Sequence, residues 1–140
     1  MLELIPGCAR PYNKVIFVKI VDKIILTHLQ VSDMDKAKAF YTDVLGFEAT
    51  QDTKWGKGNR SVFVVPPGGG TYLALDFIYG EMKSDTGRNF FLSTSDVEAA
   101  YKAIKAKGVK PNSEIMPYPP GGRFFSVNDP DGNVWNLIQS

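Results

Sequence analysis

Histidine occurs once in this chain, at position 28, so any chemistry that needs an imidazole rests on that residue. In "LTHLQ", strand alternation sets His28 on one face with Leu26 and Gln30, where it can act as a general base or as hydrogen-bonded polar lining. Asp76, in "TYLALDF", falls on the inward set Tyr72, Ala74, Asp76. It can pair with His28 or simply end a strand in water. Asn136 is a lone amide between Trp135 and Leu137 in "VWNLIQ", a run otherwise suited to a core. Such an amide either points into a cavity and bonds a ligand or bonds neighbouring backbone, because an unpaired buried amide costs about 1–3 kcal/mol. Trp55 in "KWGKGNR" and Tyr118 in "YPPGGR" lie on loops near strand ends. Aromatic side chains there can close over a planar ligand or pack in a dimer. Arg123 can meet an anionic group or sit on a solvated rim.

Other constellations are weaker. Ser32, Asp33 and His28 include the residue types of a triad, but Ser32 reads better as a helix cap. Cys8 with His28 has no local signature of a cysteine enzyme. The two glycine-rich stretches carry Pro-Pro and no following Lys-Ser/Thr, so they read as hairpin turns and not phosphate cradles.

These residues must be positioned by a chain of 140 residues, 44% apolar, with sixteen basic and fifteen acidic side chains. That length and content suit one domain with a real core. The formal charge of +1 provides no field for nucleic acid or an anionic membrane, so neither is an expected partner. A single cysteine excludes an intramolecular disulfide and a Cys-rich zinc site. No signal-peptide pattern and no apolar run of about 18 residues appears, so the expected location is cytoplasmic.

An internal repeat organises the rest. "LQVSDMDKAKAFYTDVLGF" (29–47) aligns with "LSTSDVEAAYKAIKAKGVK" (92–110) at an offset of 63. Two copies suggest two fused modules and not a solenoid. Each copy reads strand, helix, exit. Ser95 with Glu98 forms a capping-box pattern, and Ser32 with Asp35 a weaker one. Met34, Ala37, Tyr41 and Val44 keep one helix face apolar, as do Val97, Ala100, Tyr101 and Ile104. Gly46 and Gly108 suit the left-handed exit residue. Strand-like runs follow: "FEATQD", "RSVFVVP" and "TYLALDF" in the first module, then roughly 111–117, "RFFSVN" and "VWNLIQ" in the second. In "DPDG", Pro130 presets a corner, Asp131 can bond the backbone ahead, and Gly132 accepts positive φ. The expected fold class is α+β, with β-α-β-β-β twice, at 23–79 and 87–139. Residues 78–88 link the modules. Residues 1–22 form an extension in which "KVIFVKIVD" looks like a strand able to pair with an exposed edge.

The pair "LQVSDMDKAKAFYTDVLGFE" and "FFSVNDPDGNVWNLIQ", with the second Ser-Asp helix between them, resembles the glyoxalase/bleomycin-resistance superfamily, also called vicinal oxygen chelate. The resemblance covers residues 23–139. It implies paired βαβββ modules whose sheets curve around a cavity, usually in a homodimer. Enzymes of this family typically hold a divalent metal through His and Glu on strands one and four of each module. The matching positions here are Leu26, Ala74, Asn89 and Asn136, which are poor donors for such a cation. No metal and no other cofactor is therefore expected, and His28 as a displaced ligand with Asp76 would bring only two good donors. The resemblance sets Asn89 beside Asn136 as two amides facing the cavity. With it the ligand-binding candidates are His28, Gln30, Trp55, Tyr72, Asn89, Tyr118, Arg123 and Asn136. The favoured expectation is metal-independent binding of a small organic molecule, with sequestration of a drug or metabolite as its purpose. The alternative is a lyase, isomerase or dioxygenase-type enzyme using His28 and Asp76.

Overall fold

Two aspartates begin the helices. Asp33 and Asp96 have extended backbones, and their carboxylates accept from Lys36 N and Ala99 N, so helices start at Met34 and Val97. The capping role falls one residue after the expected serines. Ser32 Oγ instead donates to Asp131 Oδ1, 2.5 Å away, and Glu98 pairs with Arg123, so neither capping box forms. The computed structural model describes residues 18–80 and 83–140. Cys8 and the first part of the expected leader strand lie outside them, and the described part, 18–22, forms no strand.

In chain order the elements are β1 (Leu26–Gln30), α1 (Met34–Ala39), a π-helical continuation (Phe40–Val44), β2 (Glu48–Trp55), β3 (Asn59–Val65) and β4 (Tyr72–Phe77). The second module repeats the order with β5 (Asn89–Ser93), α2 (Val97–Ala106), β6 (Met116–Tyr118), β7 (Gly122–Asn128) and β8 (Val134–Gln139). Each module makes a four-stranded mixed sheet, ordered β1-β4-β3-β2 and β5-β8-β7-β6, and neither sheet closes into a barrel. The first strand of each runs parallel to the last, while the other pairs are antiparallel. Strand β6 is shorter than the expected 111–117. Asn112 leaves the ladder and bonds Ser126 O, Ser126 Oγ and Asn128 Oδ1.

One face of each sheet carries the core. Leu29, Val62, Val64, Leu73 and Leu75 from the first sheet join Phe125, Val127, Trp135 and Leu137 from the second. The helix faces read from the sequence fill the space, with Met34, Ala37, Tyr41, Val97 and Ile104 buried. Burying a Leu- or Val-sized side chain is worth about 1.5–3 kcal/mol, so this shared core is the main force joining the modules.

A buried polar knot completes that joint. Tyr41 Oη donates to Asp129 Oδ2 at 2.6 Å and accepts from Trp135 Nε1 at 3.0 Å. Asp129 Oδ1 accepts from the backbone of Asp131 and Asn133, and Oδ2 from Asn133 Nδ2. The Asp-Pro-Asp-Gly turn forms as expected, with Gly132 at φ +84°. Its backbone donors, however, are held by Asp129 and not by Asp131. Asp131 reaches across to the first module at Ser32.

Candidate functional site

Cross-strand partners share a face, so the register sorts every candidate. In the first sheet the face opposite the core carries Leu26, His28 and Gln30 from β1 and Tyr72, Ala74 and Asp76 from β4. Ser61 and Phe63 on β3, and Trp55 at the end of β2, belong to the same face. In the second sheet it carries Asn89 and Phe91, Asn136, Ser126 and Phe124, then Met116 and Tyr118. The two helices lie on the other side. These helix-free faces are open, and all eight residues of β2 are exposed. The five exposed large apolar side chains that lie within described strands (Trp55, Tyr72, Phe91, Met116 and Tyr118) all stand on them.

Arg123 departs from this arrangement. It pairs across the ladder with Gln139 and Pro117, which turns it to the helix side, and its Nη1 bonds Glu98 Oε1 at 2.9 Å. It lines a groove of about 540 Å³ between α2 and β6 and is not on the open face. Phe91 is the residue missed: alternation from Asn89 through Phe90 would have placed it beside Asn136. A more apolar groove of about 310 Å³ lies between the modules, bounded by Phe47, Leu73, Phe90 and Trp135.

Two polar pairs interrupt the open faces. His28 Nδ1 is hydrogen-bonded to Asp76 Oδ2, the pairing considered from the sequence. The imidazole is two-thirds exposed (66%), whereas the Asp76 side chain keeps only 10% of its surface. In the second sheet Asn136 Nδ2 donates to Asn89 Oδ1 at 2.5 Å and to the backbone carbonyl of Phe90 at 2.9 Å. Both of its amide protons are therefore used inside the protein. Asn136 Oδ1 receives no bond from any described residue.

The repeat relates Asn89 and Asn136 to Leu26 and Ala74, not to His28 and Asp76. Asn89 stands opposite Val134, so Asn136 is its diagonal neighbour, and Leu26 opposite Tyr72 has Ala74 in the same relation. The positions matched from the sequence are thus structurally equivalent. His28 and Asp76 form the next diagonal along, where the second sheet has Phe91 and Ile138. The residues present do not fit the divalent metal that the resemblance implies. Leu26 and Ala74 have no donor atom, and Asn89 Oδ1 already faces the Asn136 amide nitrogen. Among the described residues no group of three His, Cys, Asp or Glu side chains gathers around a common point.

Comparison with known proteins agrees with this fold. A probable lactoylglutathione lyase from Vibrio parahaemolyticus is 30% identical over 125 residues, spanning 84% of this chain and 91% of that protein. TnmS3, an antibiotic binding protein from Streptomyces sp. CB03234, superposes with a TM-score of 0.72 at 32% identity, covering 87% of this chain and 98% of its own. A superfamily member from Sphaerobacter thermophilus, also 32% identical, gives 0.73 over 87% and 100%. Residues 21–137 match the family described as Glyoxalase/Bleomycin resistance protein/Dioxygenase superfamily, and the chain belongs to it.

Proposed function

We propose that this protein binds a small organic molecule on its open sheet faces without using a metal, and that a second copy of the chain completes the cavity. The observation that carries this reading is the make-up of those faces. Aromatic and apolar side chains surround a few polar groups, His28–Asp76 on one sheet and Asn89–Asn136 on the other. That combination is typical of ligand pockets. Gln30, Trp55, Tyr72 and Tyr118 line the faces around these pairs, whereas Arg123 does not. Apolar faces and unpaired outer strands left to solvent are an aggregation liability, which a homodimer removes by covering them. The binding domain comprises 23–139, with 1–22 as an extension. The similarity to TnmS3 supports a sequestering role.

A second reading has its own observation. An imidazole held by a carboxylate is also how a general base is oriented, and the probable lactoylglutathione lyase is a relative of comparable identity. Native mass spectrometry of protein taken directly from cell extract tests the proposal. The expected species is a dimer retaining a small organic molecule and no metal. A bare monomer that also shows no tryptophan fluorescence change against a panel of aromatic compounds would refute it. Turnover of a bound compound, lost in His28→Gln, would establish the enzyme instead.

A further inference from the structure

The His28–Asp76 pair permits a narrower statement about the ligand, one that rests on the binding reading above. Asp76 is nearly buried, and its carboxylate has one hydrogen-bond partner among the described residues, His28 Nδ1. An ionised carboxylate can only accept, so Nδ1 must be the nitrogen that carries hydrogen. A neutral imidazole has one N–H, which leaves Nε2 as a bare acceptor on an exposed ring. An exposed strand histidine needs no such clamp in order to be soluble. The clamp fixes which nitrogen faces outward.

The surroundings restrict what that acceptor can take. Ala74 lies opposite His28, Phe63 lies beyond Ala74, and Tyr72 is two residues along β4. The floor beside Nε2 is thus small or aromatic. Asp76 and Glu48 are the charged residues on this face of the described strands. Lys54 and Arg60 pair with each other across β2 and β3 on the helix side, where Arg60 bonds Asp52 and Asp35. A ligand carboxylate or phosphate would therefore meet acids and no basic side chain on these strands, whereas a neutral O–H would find an acceptor beside an aromatic surface.

We propose that the His28–Asp76 pair is a proton-accepting anchor for a neutral aromatic or enolic ligand whose acidic hydroxyl donates to His28 Nε2. Asp76 is the positioning residue, and it acts by keeping hydrogen on Nδ1. The same arrangement disfavours the form with hydrogen on Nε2, which dominates for a free neutral histidine.

Because His28 is the only histidine, ¹⁵N-histidine labelling of the full chain reports one ring without assignment. Long-range ¹H–¹⁵N correlation should show Nδ1 protonated and Nε2 bare. Titration with 1-naphthol should move the Nε2 signal, and 1-naphthol should bind about 5- to 10-fold more tightly than 1-methoxynaphthalene, the yield of one hydrogen bond. Asp76→Asn should raise the Nε2–H form and erase that difference. Hydrogen on Nε2 in the wild-type chain would overturn the anchor whatever the protein binds. Equal affinity for the two probes, no binding of 1-naphthol, or tighter binding of 1-naphthoate would overturn the ligand class. None of these results depends on Asp76→Asn folding, and a retained ligand in native mass spectrometry would keep the broader binding reading intact.

Discussion

Tyr41→Phe removes one oxygen atom from the joint between the modules. The side chain is fully buried, and its hydroxyl makes two bonds, to Asp129 Oδ2 and from Trp135 Nε1. Asp129 keeps Asn133 Nδ2 and two backbone donors, so its carboxylate is not stranded. Losing one charge-assisted bond then costs about 1.5–3 kcal/mol. Trp135 Nε1 has no other partner among the described residues and is left unsatisfied in a core site. That adds about 1 kcal/mol or more, less whatever relaxation recovers. The expected loss is about 2–4 kcal/mol, a sizeable part of a typical folding free energy of about 5–15 kcal/mol. Urea denaturation should show a lower midpoint with an unchanged m-value, because the same surface is exposed on unfolding. Tyr79→Phe, at a 67% exposed tyrosine, should stay within about 0.5 kcal/mol as a control. The pH dependence gives a second check. Burial first, and then the hydrogen bond to Asp129, push the Tyr41 hydroxyl above the ordinary tyrosine range. A raised pKa contributes stability that is complete below the unfolded value of about 10 and is lost as pH climbs past it. The gap between wild type and Tyr41→Phe should therefore narrow above about pH 10. A loss below about 1 kcal/mol at neutral pH, or a gap that stays constant into alkali, would refute this account of the joint.

Asn136→Leu should cost about 1–2 kcal/mol in thermal or urea unfolding, because its two partners, Asn89 and the Phe90 carbonyl, are not deeply buried. Asn136→Asp should cost more at neutral pH, since a carboxylate would face two acceptors. That deficit should shrink at acid pH, where the protonated group can donate again, and equal deficits at both pH values would contradict the assigned amide orientation. Metal analysis of the purified protein should find no stoichiometric zinc, nickel, iron or manganese, and one equivalent abolished by His28→Ala would overturn the donor argument. Light scattering should report twice the 15.5 kDa chain mass, and a monomer at working concentration would leave the open faces without their proposed cover. Arg60→Met should cost about 1 kcal/mol by urea unfolding, because its bidentate pair with Asp52 keeps part of its surface in solvent, 16% for Arg60 and 31% for Asp52, and a larger loss would mean that the pair is better shielded than its exposure indicates.

Local chemistry made much of this protein legible from residues alone. The offset of 63 between the Ser-Asp helices gave two equivalent modules. Glycines 46, 108 and 132 marked exits and a turn that do adopt positive φ. Period-two alternation placed Trp135 and Leu137 opposite Asn136, as the core and the open face now separate them. These signals depend on neighbours a few residues apart, so they survive without knowledge of the rest of the chain. Alternation says which residues share a face but not what covers that face. Arg123, a candidate for an anionic ligand group by its charge alone, lies on the helix side and bonds Glu98 of α2. Both helix caps fall one residue later, on Asp33 and Asp96, and in the first helix Ser32 is held instead by Asp131, 99 positions away. The sequence offered His28 and Asp76 as a pair but not the geometry that joins them. Only the parallel register of β1 on β4, with His28 opposite Ala74, makes them diagonal neighbours. The union of the modules through Tyr41, Asp129 and Trp135 has no local signal at all. Such pairings form when the apolar faces of two distant segments are buried together, and that long-range packing chooses the register on which each of them depends.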